Sequence, residues 1–218
     1  MSYQIAIDGP AGAGKSTIAK IVAKKRNAIY VDTGAMYRAI AIYMVRNNVD
    51  GYDEKAVSEA VTDAHITFGY VDGLQHVYLN GEDVTPYLRD EATGNMASLT
   101  SKYAKVREAL TAMQQDYASK NDVVMDGRDI CTVVLPNADV KIYLTASSSV
   151  RAKRRYDELV AKGQEADILK IEEEIIARDH QDMTREVAPL KKADDATEID
   201  SSYMNIEEVA DKILSLCK

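Results

Sequence analysis

Gly9-Pro10-Ala11-Gly12-Ala13-Gly14-Lys15-Ser16 limits what this chain can fold into more than any other segment. It fulfils the phosphate-loop pattern G-x-x-x-x-G-K-[ST], and its flanks fit: the apolar run Ile5-Ala6-Ile7 precedes it, and Ile18, Ile21 and Val22 follow at helical spacing. A strand that turns sharply onto a helix belongs to an α/β sheet. Glycine lets the backbone approach oxygen atoms closely, so several N–H groups and a helix N-terminus converge on one polyphosphate. The motif therefore predicts a nucleoside triphosphate held by Gly9, Pro10, Ala11, Gly12, Ala13, Gly14, Lys15, Ser16 and Thr17. Lys15 would reach the β- and γ-phosphates, the Ser16 hydroxyl would bind Mg²⁺, and Thr17 would add a contact to the α-phosphate. The alternative is a glycine-rich strand-to-helix turn that binds nothing. A regulatory GTPase is disfavoured, because neither Asp-x-x-Gly nor Asn-Lys-x-Asp occurs.

The rest of the chain repeats the same alternation. Buried strands are expected at Gln4 to Ile7, Ala28 to Val31, Asp122 to Met125, Val140 to Leu144 and Thr197 to Ile199, with helices near 15–26, 35–48, 103–119, 147–162, 167–184 and 205–216. Such spacing predicts a parallel-sheet core with helices on both faces. Ile66 to Tyr70 and Gln75 to Leu79 interrupt it as short antiparallel strands, and Asn80-Gly81 is a type I′ turn signal. These read as an insertion that forms a small lobe with Val84 to Ser98. Lys162-Gly163-Gln164-Glu165 reads as a short mobile tip between two charged helices.

Charge and composition remove other classes of function. With 27 Lys plus Arg against 35 Asp plus Glu, the net charge of −8 opposes wrapping a nucleic acid polymer or an anionic membrane. The apolar run Ala39 to Val45 is far shorter than the ~20 residues that cross a bilayer. The start Met1-Ser2-Tyr3-Gln4 carries neither a leader pattern nor a myristoylation glycine, and Cys131 and Cys217 have no metal spacing. A cytoplasmic protein with reduced thiols is expected. His65, His76 and His180 show no ligand spacing, and the 13 tyrosines, with no Trp and one Phe, serve aromatic packing.

Positive charge must therefore be local. Arg151, Arg154 and Arg155 fall at i, i+3 and i+4, a guanidinium face just before the tip at Gly163; it suits a closing lid, or else a solvated face paired with Asp157 and Glu158. Asp126-Gly127-Arg128-Asp129 follows an apolar strand, at the carboxyl end where open α/β sheets bind ligands. There Asp126 would hold a Mg²⁺-bound water and Arg128 a second phosphate. Asp32-Thr33-Gly34 ends another strand, with Arg38 a turn later; Asp32 or Thr33 serves either a ligand or a helix cap. Arg178, Asp182 and Arg185 share one face, readable as a binding set or as surface pairing.

Taken together, Gly9 to Thr17, Asp32-Thr33-Gly34-Ala35-Met36-Tyr37-Arg38, Asp126-Gly127-Arg128-Asp129 and Arg178-Asp179-His180-Gln181-Asp182 through Ala188-Pro189-Leu190 resemble the bacterial cytidylate kinase family nearly end to end. The resemblance implies one kinase domain over 1–218, with a nucleotide-monophosphate lobe at about 38–98, an antiparallel insert at 65–84 and an arginine-bearing lid at about 151–167. It implies ATP as donor with Mg²⁺ and CMP or dCMP as acceptor; a monomer is expected, since the sequence offers no dimer interface. Thr33, Arg38 and Arg128 would meet the CMP phosphate, while Ser98, Arg107 and Asp129 would read the cytosine. Arg178 and Asp182 would hold the ribose, with Arg185 near base and phosphate. Lys15, Arg128, Arg151, Arg154 and Arg155 would stabilise charge on the transferring group. A cytosine edge offers an amino donor at C4 and an acceptor at N3, which a carboxylate or hydroxyl and an arginine complement. Two other readings stay open on the residues alone: a kinase of another small acceptor, and an ATP-binding switch. One departure stands out. Cys131 occupies a position where the family usually has glycine, and at a positive φ it would cost ~1 kcal/mol.

Overall fold

The computed structural model describes residues 2–71 and 74–218. In chain order its main elements are β1 (Gln4–Asp8), α1 (Lys15–Arg26), β2 (Ile29–Asp32), α2 (Thr33–Arg46), α3 (Glu54–Ala60), β3 (Ile66–Val71), β4 (Leu74–Leu79), β5 (Glu82–Asp83), α4 (Glu91–Thr100), α5 (Ala104–Lys120), β6 (Val123–Gly127), β7 (Val140–Thr145), α6 (Ser148–Ala161), α7 (Ile168–Thr184), β8 (Thr197–Asp200) and α8 (Ile206–Ser215). A five-stranded parallel sheet, ordered β2-β6-β1-β7-β8 with helices on both faces, and a separate three-stranded sheet, ordered β3-β4-β5, organise the chain. The chain divides into two compact units, residues 1–30 with 120–218, and residues 31–119.

In the first unit the near-continuous apolar strands are buried on both faces, as parallel strands between helices must be. Ile5, Ile7, Val124, Ile142, Leu144 and Ile199 meet Ile18 and Val22 of α1 and Val209 and Ile213 of α8 in one core. Strand register places the chemistry. Ile7 pairs with Asp126 and Asp8 with Gly127 on one side, and Asp8 pairs with Tyr143 on the other. The polar residue that ends each apolar run therefore arrives at the same end of the sheet, where the phosphate loop leaves β1. α1 begins behind Gly14 in the left-handed region (φ 89°) and ends at Asn27, also left-handed (φ 52°).

The second unit buries Met36, Ile40 and Met44 of α2 against Val57, Val77, Leu79, Val106 and Leu110. β3 and β4 are antiparallel as expected, and Asn80 and Gly81, both at positive φ (50° and 86°), form the turn that pairs Leu79 with Glu82 of β5. β5, α3 and α4 were outside the sequence pattern. α4 reads EATGNMASLT and buries Thr93, Ala97 and Thr100, so it carries no apolar stripe to find. α2 starts two residues before the expected 35 and stops two before 48. Asp32 accepts from the Ala35 N–H at 3.0 Å, which fixes the N-cap, and Arg46 ends the helix before Asn47. Among the described residues no helix is long and apolar enough to cross a membrane, and both cysteines are free.

Candidate active site

The phosphate loop is built on backbone positions that side chains would spoil. Gly9 has φ +150°, and a Cβ there would lie 1.9 Å from the Leu144 carbonyl oxygen of the neighbouring strand. Lys15 is buried, and its Nζ donates to the Pro10 carbonyl at 2.8 Å. Burial, and then the Arg128 charge, push its ammonium down to about 7, while Asp126, Asp8 and Asp182 pull the other way. Ser16 Oγ donates to Asp126 Oδ2 at 2.9 Å, and Tyr30 Oη, from β2, donates to Asp126 Oδ1 at 2.9 Å. A hydroxyl and a carboxylate joined at the foot of the loop are hard oxygen donors. They suit Mg²⁺, which takes one or two protein oxygens, its remaining ligands being water and substrate phosphates.

Asp8 supports the next turn. Its two oxygens accept from the Ile130 and Cys131 N–H groups, each at 2.8 Å, and burial pushes its carboxyl up. This anchors the segment that carries Arg128 and the buried Asp129. Arg128 Nε donates to Asp182 Oδ2 at 2.7 Å, and Arg185 Nη1 lies 3.9 Å from Asp182 Oδ1, so the fold gathers three predicted residues from distant segments. Arg185 Nε donates to the Ala188 carbonyl at 2.7 Å, with Ala188 left-handed at φ 49°. Arg178, on the same helix, is exposed.

The three arginines of α6 do not share one environment. Arg151 is buried and donates to Ala146 O at 2.9 Å, to Ala11 O of the phosphate loop at 3.0 Å and to Asp179 Oδ2 at 2.6 Å. Arg154 donates to the Ser201 carbonyl at 2.8 Å, whereas Arg155 stands in solvent beside Glu158 at 3.2 Å. Steps of 3 and 4 along a helix separate Arg154 from Arg155 by one 100° increment, and the burial boundary passes between them. In the second unit Thr33 is buried at the start of α2, and Asp32 is its cap. Arg38 is half-buried; Arg107 is buried, donates to Ser101 O at 2.9 Å and lies 5.4 Å from the Tyr37 ring centroid. Ser98 is exposed on α4.

A family model described as cytidylate kinase matches residues 5–218. The chain belongs to the cytidylate kinase family. It is 53% identical over 213 residues to a cytidylate kinase of Bacillus licheniformis (97% of this chain, 94% of that protein), and 51% identical over 212 residues to one of Caldicellulosiruptor bescii (97% and 94%). The Bacillus subtilis cytidylate kinase is 52% identical over 210 residues (96% and 94%). Among solved structures, an uncharacterised protein of Eubacterium ventriosum superposes with a TM-score of 0.54 at 12% identity (99% of this chain, 97% of that one). A gluconokinase of Sinorhizobium meliloti gives 0.50 at 12% identity (98% and 90%). These two likenesses show the fold alone.

Within the cytidylate kinase frame, Cys131 is accommodated without strain. It is absent from the positive-φ residues, sits in a π-helical turn (Ile130–Val134), and places its Sγ 3.5 Å from Ala6 O and 3.6 Å from Ile142 O. The expected penalty for a side chain at a glycine backbone therefore does not arise. Three residues escaped sequence reasoning. Tyr30 reads as an ordinary member of the expected strand Ala28 to Val31, Asp8 falls just past the expected strand Gln4 to Ile7, and Asp179 is only one position of a longer motif; no local signal marks a carboxylate or phenol whose partner lies up to 123 residues away.

Proposed function

We propose that this chain transfers the γ-phosphoryl of ATP in line to CMP and dCMP, with no protein nucleophile. The observation that carries the reading is the loop whose buried Lys15 and Ser16–Asp126 pair are ready for a triphosphate, in a chain with cytidylate kinase relatives about half identical over nearly its whole length. Residues 9–17 would hold the ATP phosphates. Ser16, with Asp126 behind it, would hold Mg²⁺, which when bound would neutralise the charge that builds on the phosphates. Lys15, Arg128, Arg151, Arg154 and Arg155 would stabilise charge on the transferring group. Arg151 uses three of a guanidinium's five N–H groups on protein acceptors. Arg155 yields its exposed pair with Glu158 at little cost, since such pairs are worth ~0.2–1 kcal/mol.

For the acceptor, Thr33, Arg38 and Arg128 would bind the phosphate, Ser98, Arg107 and Asp129 the cytosine, and Arg178, Asp182 and Arg185 the ribose and its surroundings. Residues 38–98, with the insert at 65–84, would act as the acceptor lobe and 151–167 as a lid that keeps water out. Proteolysis at 160–166 should slow when both nucleotides are bound. The same reading takes the enzyme as a cytoplasmic monomer acting on free nucleotides, in keeping with free Cys131 and Cys217 and with the charge of −8. The deciding experiment measures ADP formation with CMP, dCMP, UMP, AMP and small metabolites at fixed ATP. Turnover with CMP no faster than with UMP overturns the cytosine assignment.

A further inference from the structure

We infer that Asp179 is a positioning residue that ties the phosphate loop to helix α7, so that filling either nucleotide site raises affinity at the other. This rests on the reading above, in which the loop holds ATP and α7 contributes Arg178 and Asp182 to the acceptor.

The link is short and nearly dry. Arg151 Nη1 donates to the Ala11 carbonyl in the loop, and Nη2 of the same planar group donates to Asp179 Oδ2; the two side chains are only 6% and 14% exposed. A guanidinium fork is rigid, so a shift of α7 at Asp179 is passed to Ala11 as a shift, not absorbed by a torsion. The loop has little room to slip past it, because a Cβ at Gly12 would already stand 3.3 Å from Arg151 Cβ. Asp179 itself is held chiefly by this bond: among the described residues its buried Oδ1 has no hydrogen-bond partner. Along α7, Asp179 neighbours Arg178 and lies three residues from Asp182, whose carboxylate carries the Arg128 pair. A buried ion pair is seldom retained for stability alone, since an apolar pair of similar volume often does as well. Here it has a geometric task, fixing one loop against one helix.

The test is a pair of titrations on the full-length protein. The Kd for CMP is measured calorimetrically with and without a saturating non-hydrolysable ATP analogue and Mg²⁺. In the wild type the analogue should tighten CMP by about fivefold or more, within the range usual for coupled sites. In Asp179→Asn, which keeps shape and removes charge, the ratio should fall below about twofold while the Kd for CMP alone stays within about threefold. Asp179→Glu should restore part of the ratio. Equal ratios in wild type and Asp179→Asn, or no coupling in the wild type, overturn the inference. A measurement that needs no variant accompanies it: CMP alone should slow amide hydrogen exchange in residues 9–17, and unchanged exchange counts equally against it. A wild-type protein that binds the analogue but not CMP overturns the acceptor reading first, and this inference with it.

Discussion

Lys15 offers the sharpest quantitative consequence. Its ammonium is pushed down to about 7 by burial and by Arg128, against an ordinary 10.5, which amounts to about 5 kcal/mol of differential interaction between its two protonation states. At pH 8 about nine in ten ligand-free molecules therefore carry a neutral Lys15, and at pH 6 about one in ten. A triphosphate seated in the loop restores the charged form. Binding should then take up about 0.9 proton per site at pH 8 and about 0.1 at pH 6, and the Kd should rise about tenfold per pH unit above 7. The assay is calorimetry of Mg²⁺-saturated ATP analogue in buffers of different ionisation enthalpy at each pH. Lys15→Arg is the control, because a guanidinium stays protonated throughout and the ligand's own ionisation cancels between the two proteins. Uptake that is equal at pH 6 and pH 8, or unchanged in Lys15→Arg, refutes the argument.

Lys15→Met should raise the melting temperature of the ligand-free protein, and by more at pH 6.5 than at pH 9. Below about 7 both states hold the proton and the folded protein bears the full cost of a buried ammonium, whereas between about 7 and 10.5 the unfolded chain holds the extra proton and stability rises with pH. Gly9→Ala places its Cβ 1.9 Å from Leu144 O at φ +150° and should destabilise the protein by about 2 kcal/mol or more and abolish binding of the ATP analogue, both read by thermal shift. Cys131→Gly removes a buried side chain and loosens the backbone, so it should cost about 1–3 kcal/mol in denaturant unfolding while changing the KM for CMP by less than about tenfold. Burial beside Asp8 pushes the Cys131 thiol up, so a thiol reagent should label only Cys217 until the protein unfolds.

How much of this was legible beforehand depended on whether the signal was local. The phosphate loop was legible because eight consecutive residues and both flanks agree, and α1 spans the expected 15–26 because Gly14 and Asn27 punctuate it. Asn80-Gly81 was legible because two consecutive positive φ values demand such residues. α4 was not legible, since its buried positions are Thr93, Ala97 and Thr100 and helical propensity alone does not announce a helix. The Arg128–Asp182 and Arg151–Asp179 pairs join positions 54 and 28 residues apart; the first needs the end of β6 to meet the end of α7, and the second needs α7 to pack back on α6, so neither is marked by local sequence. Cys131 was legible as a departure but not in its effect, which turned on a backbone angle that residue identity does not fix.

The partners of the cations divide them into two kinds, and the division has a chemical consequence. Lys15 and Arg154 donate to carbonyl oxygens of Pro10 and Ser201, while Arg128 and Arg151, besides their bonds to carbonyls, donate to the carboxylates of Asp182 and Asp179. A phosphate oxygen carries charge that a carbonyl lacks, and charge-assisted hydrogen bonds are about twice as strong as neutral ones, so a triphosphate displaces the first kind of partner at a net gain. It gains far less by displacing a carboxylate: Asp179 would lose its arginine in a mostly buried place, and Asp182 would keep only the longer contact to Arg185. On the proposed reading, Lys15 and Arg154, with the exposed Arg155, would be the groups that turn most readily to the donor. On the same reading, Arg151 would keep Asp179 and carry the loop with it, and Arg128 would leave Asp182 most readily for an acceptor that supplies both a phosphate for the arginine and hydroxyl donors for the carboxylate. Such a requirement would let a chain with a net charge of −8 hold a polyanion through a few local cations while disfavouring acceptors that cannot satisfy the carboxylate left behind.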